Sequence, residues 1–169
     1  MFASQHKNSV SILLSMNKKE LFKNLLEKIK SIVEGKGGRE EKLQRICQIL
    51  KEKVPHYDWV GIYFADAERK ELLLGPFAGE ETEHIRIKFG QGICGQAAEK
   101  LSTFIVQDVS KETNYLACSP FVKSEIVVPI FKDGNFVAEL DIDSHKLSPF
   151  SEEDKDFLEK VCEIISEII

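Results

Sequence analysis

No run in the sequence approaches the ~20 consecutive apolar residues that a bilayer-spanning helix needs. The start, MFASQHKNSVSILLSMNKKE, carries a short apolar patch from Val10 to Met16 with no small-residue cleavage site behind it. No secretory leader is therefore expected. Basic residues are not in excess: acidic side chains outnumber them 28 to 23, for a net charge of −5. Nothing in that balance advertises nucleic acid or a membrane surface, and neither is an expected partner. Cysteine is sparse, with four in 169 residues. Cys47, Cys94, Cys118 and Cys162 are scattered and form no CxxC pair. A zinc site wants paired close spacings, and a disulfide scaffold wants a higher density. A reduced, cytoplasmic protein with no metal and no cofactor is the expectation. Repeats and low-complexity tracts are absent too. What remains, 43% apolar and 30% charged residues, suits one globular domain with a single sizeable core.

The apolar periodicity changes along the chain. Asn17-Lys-Lys-Glu20 reads as a helix start, a polar cap with an acid three residues on. Leu21, Leu25, Ile29 and Ile32 follow at helical spacing, up to the glycines at 35, 37 and 38. Leu43, Ile46, Ile49 and Leu50 mark a second amphipathic helix, stopped by Pro55. From Tyr57 the period is two, and strands are expected near 57–65, 69–77, 84–89, 103–109, 124–131 and 136–143. Asp133-Gly134 is a hairpin turn between the last two. A short helix near 93–100 follows the glycines at 90 and 92. Ser151-Glu-Glu-Asp opens a final helix with Phe157, Val161, Ile164, Ile165 and Ile168 on its apolar face. Strands segregated from helices predict an α+β fold, an antiparallel sheet with helices packed on one face. The other face and the connection over 110–123 are free to build a site.

Strand 136–143 places Val137, Glu139, Asp141 and Asp143 on one face and Phe136, Ala138, Leu140 and Ile142 on the other. Carboxylates lined up in this way either face water or have a cationic ligand to meet. A simple hairpin brings Glu125 near the Asp141 and Asp143 end. Strand 57–65 sets Trp59, Gly61 and Tyr63 on one face. Trp59 reads as core packing, or as one wall of a slot left open by Gly61. Aromatics beside carboxylates suit a small, partly apolar ligand bearing an ammonium group. FGQGICGQAAEK is a tight turn into a helix. It lacks the Gly-Lys-Ser/Thr of a phosphate loop. Cys94 sits at that helix start, where a thiolate is somewhat favoured. Cys118 lies in a polar connection and is the better candidate for a reactive thiol. Cys47 and Cys162 fall within amphipathic helices and read as inert.

The run YDWVGIYF, followed in order by LLLGPFAG, FGQGICGQAA, VQDV, LACSP, SEIVVPI and ELDIDS, resembles the free methionine-(R)-sulfoxide reductases over about residues 57–157. These are stand-alone GAF-domain enzymes. The resemblance implies a GAF-like sheet with helices on one face and a ligand pocket on the other, residues 1–16 being an N-terminal extension and 17–169 a single GAF domain. It implies reduction of free methionine (R)-sulfoxide, recycling by thioredoxin or another thiol reductant, and a homodimer formed through the terminal helices. By the same resemblance Cys118 attacks the sulfoxide sulfur and Cys94 is one of two cysteines able to serve in disulfide recycling. Trp59 and Tyr63 line the methyl-thio pocket, and Glu125, Asp141 and Asp143 hold the polar part of the substrate. Among these acids, Glu125 and Asp143 are candidates to donate the proton that the departing oxygen requires.

One departure stands out. The family usually carries a further cysteine just before its F-G-x-G turn, and here His84 occupies that place in GEETEHIRIKFG. Either Cys94 resolves, or an external thiol attacks Cys118 directly, or turnover is lost and the pocket kept. The last case is the alternative expectation, a non-catalytic GAF module that senses a small molecule or redox state.

Overall fold

The helical and alternating patterns become four α-helices and a six-stranded sheet. The computed structural model describes residues 2–117 and 119–169, the side chains of helical residues 2–17 excepted. Cys118 thus lies outside the described residues. Helix α1 runs Phe2–Glu34. The helix start expected at Asn17 is corrected: the helix is continuous through it. The stretch from Lys18 to Glu34 has no Gly or Pro, and Gly35 is the first breaker. Helix α2, Arg39–Lys53, buries Leu43, Ile46, Cys47, Ile49 and Leu50 on one face. It stops at Val54, whose position before Pro55 disfavours helical backbone.

The strands are β1 (Trp59–Asp66), β2 (Glu71–Ala78), β3 (Arg86–Lys88), β4 (Phe104–Val106), β5 (Ser124–Lys132) and β6 (Asn135–Ser144). They form one antiparallel sheet in the order β3-β2-β1-β6-β5-β4. Asp133 (φ 52°) and Gly134 (φ 78°) join β5 to β6, with Lys132 opposite Asn135. Two consecutive positive φ values match the right-handed twist of the flanking strands. Next to this turn the register shifts, Ile130 facing Ala138 while Phe131 faces Phe136. Val137 is the extra residue of a bulge, so alternation breaks there. Val137 consequently packs toward the helices and Phe136 toward the opposite side, each the reverse of the simple alternation.

The α+β architecture and its one-sided helical layer are as expected. Side chains of α1, α2 and α4 (Glu152–Ile165) cover Val60, Ile62, Ile126, Val128, Leu140 and Ile142. The opposite face carries a second apolar cluster, in which Trp59, Tyr63 and Val127 meet Ile93, Cys94 and Ala97 of α3 (Gly92–Lys100). The short helix therefore belongs to the side that holds the site.

Asp154 ties the helical layer to the start of β1. It closes a capping box with Ser151 at the head of α4, which satisfies otherwise unpaired backbone donors. Its buried carboxylate also accepts from Lys18 Nζ of α1 (2.6 Å), His56 Nε2 (2.7 Å) and the Tyr57 hydroxyl (3.0 Å). His56 and Tyr57 lie immediately before Asp58 and Trp59, so this anchor fixes where β1 begins.

Candidate functional site

The centre of the sheet builds the site from two registers. Antiparallel pairing sets Glu125 opposite Asp143, and Trp59 opposite Asp143 on the other side. Glu139, Asp141, Asp143 and Glu125 all lie on the face away from the three-helix layer, and all four are buried. The reading of this strand face as water-facing is overturned. α3 covers it together with Tyr115, Leu116 and Val122 from the connection that follows β4. Asn114 secures that cover: its Oδ1 accepts from Gly92 N (3.0 Å), its Nδ2 donates to Gly90 O (2.7 Å), and its own carbonyl accepts from Gln96 Nε2 (3.2 Å).

At the end of the sheet a narrow cavity of about 30 Å3 is lined by Asp58, Trp59, Glu80, Glu81, Thr82, Ser119, Val122, Asp143 and His145. Only Asp143 of the three expected carboxylates reaches it; Glu125 and Asp141 lie deeper. Trp59 forms one wall. Its Nε1 donates to Glu80 O (3.0 Å), and its ring stacks on Phe77 at 5.6 Å. The open slot expected at Gly61 is filled by this indole: a Cβ on Gly61 would lie 2.1 Å from Trp59 Cη2. Gly79, at φ +143°, permits the same close approach from the other side, where a Cβ would stand 2.3 Å from Cδ1. Tyr63 is behind this wall rather than in the cavity lining. Its hydroxyl donates to His84 O (2.9 Å). His84 Nε2 in turn lies 3.1 Å from Ala117 O. The residue that departs from the family pattern therefore touches the residue just before Cys118. On the other side of Cys118, Ser119 lines the cavity and donates to Glu80 Oε2 at 3.5 Å.

Asp58 and His145 also line the cavity, and no motif in the sequence marks them. The two are tied together, with His145 N donating to Asp58 Oδ2 (2.7 Å). The signal was available, since they flank the Trp59–Asp143 pair by one and two residues. Glu139 was placed on the correct face but not in the site.

The electrostatics follow from burial without a counter-charge. Among the described residues no Lys or Arg forms an ion pair with Glu125, Glu139, Asp141 or Asp143. Burial, then the charge of Asp141, then that of Asp143, pushes Glu125 well above the usual carboxylate range. Asp143 is raised by burial, Asp141 and Asp58. Glu139 is raised by burial and Asp141. Asp141 itself is pushed by burial to about 7, hydrogen bonds from Cys94 and Glu125 acting the other way. A cluster of this kind holds protons at neutral pH, because buried like charges oppose one another's ionisation. Neither oxygen of Glu139 has a partner among the described residues, and one oxygen each of Asp141 and Asp143 is also unpaired.

Cys94 is the third residue of α3, and its Sγ donates to Glu125 Oε1 at 3.7 Å. The thiolate expected at this helix start is corrected. Burial and then the charges of Asp141, Glu139 and Glu125 push the thiol well above its ordinary value. These outweigh the weak field of a nine-residue helix. Cys47 and Cys162 are buried packing thiols, as expected; burial raises Cys47 to about 12.

This curled six-stranded antiparallel sheet, with three helices on one face and a short helix on the other, is the architecture of a GAF domain. The GAF domain family model matches residues 38–169, and the chain belongs to that family. Within it, the chain is closely related to free methionine-R-sulfoxide reductases. The Saccharomyces cerevisiae protein of that name is 35% identical over 167 residues, 95% of this chain and 92% of its own. The structure of the Neisseria meningitidis free methionine-R-sulfoxide reductase in complex with its substrate superposes with a TM-score of 0.82 at 37% identity, covering 87% of each chain. A putative GAF sensor protein from Burkholderia vietnamiensis also superposes at 0.82, with 33% identity over 89% of this chain and 94% of its own. Among the described residues no helix is long and apolar enough to cross a membrane.

Proposed function

We propose that the chain reduces the (R)-sulfoxide of free methionine to methionine. The observation that carries this reading is the convergence of a tryptophan wall, a carboxyl at the cavity mouth and proton-holding carboxyls beneath it, in a chain closely related to free methionine-R-sulfoxide reductases. Asp143 and the acids behind it meet the substrate ammonium, and the indole of Trp59 meets its apolar part. The thiolate of Cys118 attacks the sulfoxide sulfur. The oxygen takes up a proton from the acid cluster, methionine leaves reduced, and Cys118 is left as a sulfenic acid. A thiol then attacks that sulfur with loss of water, and a second thiol releases Cys118 from the resulting disulfide. The burial of Cys94 as a thiol supports an external reductant in the resolving step, thioredoxin or a small thiol, rather than Cys94. The cavity is narrow, so entry of an amino acid requires Glu80, Glu81 and Thr82 on one wall to part from Ser119 and Val122 on the other. A cytoplasmic homodimer belongs to the same reading.

A coupled assay with a small dithiol tests it. The free R epimer should be consumed, and the S epimer and N-acetylated methionine sulfoxide should be poor substrates. Capping the ammonium leaves a buried acid unpaired, at a cost of about 1–3 kcal/mol. Equal turnover of capped and free substrate would falsify the pocket assignment. A second reading, binding without turnover, is favoured by one observation, the histidine at position 84. It predicts saturable binding of the sulfoxide with no methionine formed.

A further inference from the structure

Beneath the cavity, three buried side chains of three different elements converge. Cys94 Sγ of α3, a carboxylate oxygen of Glu125 on β5 and one of Asp141 on β6 all lie within 4.8 Å of one another. Sγ of Cys94 is 3.7 Å from Glu125 Oε1. A tetrahedral zinc ion, with bonds of about 2.3 Å to sulfur and 2.0–2.2 Å to oxygen, separates its sulfur and oxygen ligands by about 3.6 Å. That edge of the polyhedron already has the required length.

A second observation points the same way. Glu139 lies on β6 two residues before Asp141, on the same face and with no exposure to solvent. Neither of its carboxylate oxygens has a partner among the described residues, and Asp141 Oδ1 is also unpaired. The neighbours that act on Glu139 are Asp141 and the Cys94 thiol, so its carboxyl lies beside two of the same three groups. Buried polar groups without partners are rare in native proteins and call for an explanation. Three carboxyls and a thiol to which no Lys or Arg is paired among the described residues have the composition of a cation cage.

We propose that Cys94, Glu125 and Asp141, with Glu139 as the fourth ligand, form a binding site for one divalent cation of the zinc class. The donor set selects the metal. A thiolate ligand disfavours magnesium and calcium, which take oxygen ligands only, while zinc and cobalt accept one sulfur with oxygen donors in tetrahedral geometry. Binding replaces the protons of the thiol and carboxyls and supplies the missing positive charge. The site shares Glu125 and Asp141 with the acids assigned above to the substrate, so metal and sulfoxide exclude one another. Metal binding itself does not depend on the reductase reading, and its test uses no sulfoxide.

Cobalt(II) chloride is the probe, with protein first stripped by chelator. Equilibrium dialysis should give one Co2+ per chain, with a near-ultraviolet thiolate-to-cobalt charge-transfer band. Cys94→Ser should remove the band, and Glu139→Gln should weaken binding at least tenfold. Cys118→Ser, Cys47→Ser and Cys162→Ser should retain both band and affinity. A band that survives in Cys94→Ser, or wild-type affinity in Glu139→Gln, overturns the site. X-ray absorption of the wild-type protein with one equivalent of zinc provides a check that needs no variant to fold. One sulfur scatterer at about 2.3 Å with oxygens at about 2.0–2.2 Å is expected. A shell lacking sulfur, or no zinc retained, refutes the proposal.

Discussion

Replacing Asp154 with asparagine keeps the side chain's shape and removes its charge. In the native protein this carboxylate accepts from Lys18, His56, Tyr57 and both the backbone and the hydroxyl of Ser151. Burial acts to raise Asp154, and the hydrogen bonds from His56, Lys18 and Ser151 overcome it, holding the carboxyl well below the usual range. The amide cannot accept five donors and leaves Lys18 facing a neutral group. Removing one partner of a buried pair costs about 3–5 kcal/mol. A domain of this size shifts its melting temperature by about 2–4 °C per kcal/mol, so Asp154→Asn should melt roughly 6–20 °C lower at pH 7. The pH dependence has a definite sign. A carboxyl depressed in the folded state stabilises fully above its unfolded value of about 3.9, and that stability is lost as the pH falls further toward the folded value. The gap between wild type and variant should therefore be constant from pH 7 to about 5 and narrow below about 4. Thermal unfolding followed by circular dichroism at pH 7, 5 and 3 measures it. A melting temperature within about 2 °C of wild type at pH 7 would show that the anchor contributes little.

Three further outcomes are expected. Asp143→Asn and Glu125→Gln should lower reductase turnover by about 10²–10⁴-fold, the usual worth of a positioned acid, while melting within a few degrees of wild type; unchanged rates would make them ordinary packing groups. Gly61→Ala should drive the Trp59 ring from its place, because the added Cβ would sit 2.1 Å from it. As the only tryptophan in the chain, Trp59 should report this as a red-shifted emission, and an unshifted spectrum would mean that the ring lies elsewhere. Glu139→Met in metal-free protein removes two unpartnered buried oxygens at similar length and should stabilise by about 1–3 kcal/mol in urea titrations; destabilisation would mean that Glu139 has a partner.

Much of the fold was legible because period-two and period-3.6 patterns are local. The helix endings at Gly35 and Pro55, the Asp133-Gly134 hairpin and the nearness of Glu125 to the Asp141 and Asp143 end of β6 all followed from nearby residues; that Glu125 faces Asp143 itself is set by the bulge. What failed depended on distant ones. Asn17 has the chemistry of a cap, yet the residues before it are helical as well, and a cap acts only where the helix ends. The bulge at Val137 arises from register between two strands, which alternation within one strand does not carry. Gly61 looked like an open slot because nothing in W-x-G-x-Y tells which way an indole folds. The state of Cys94 is hidden from the sequence for the same reason. Its place at a helix start is local, whereas the three carboxyls that keep it a thiol come from β5 and β6. Asp58 and His145 escaped notice as single polar residues at strand ends, although the cross-strand register makes them neighbours.

The most direct test of the proposed chemistry is a single turnover without reductant. Protein incubated with one equivalent of free methionine (R)-sulfoxide is trapped with a sulfenic-acid reagent, and its peptides are mapped by mass spectrometry. One methionine should form per chain, Cys118 alone should carry the sulfenic adduct, and Cys94 should remain a free thiol. Cys118→Ser should form no methionine. Methionine formed while Cys118 stays reduced would contradict the nucleophile assignment, and a sulfoxide bound but unconverted by the wild type would make the chain a binding module instead.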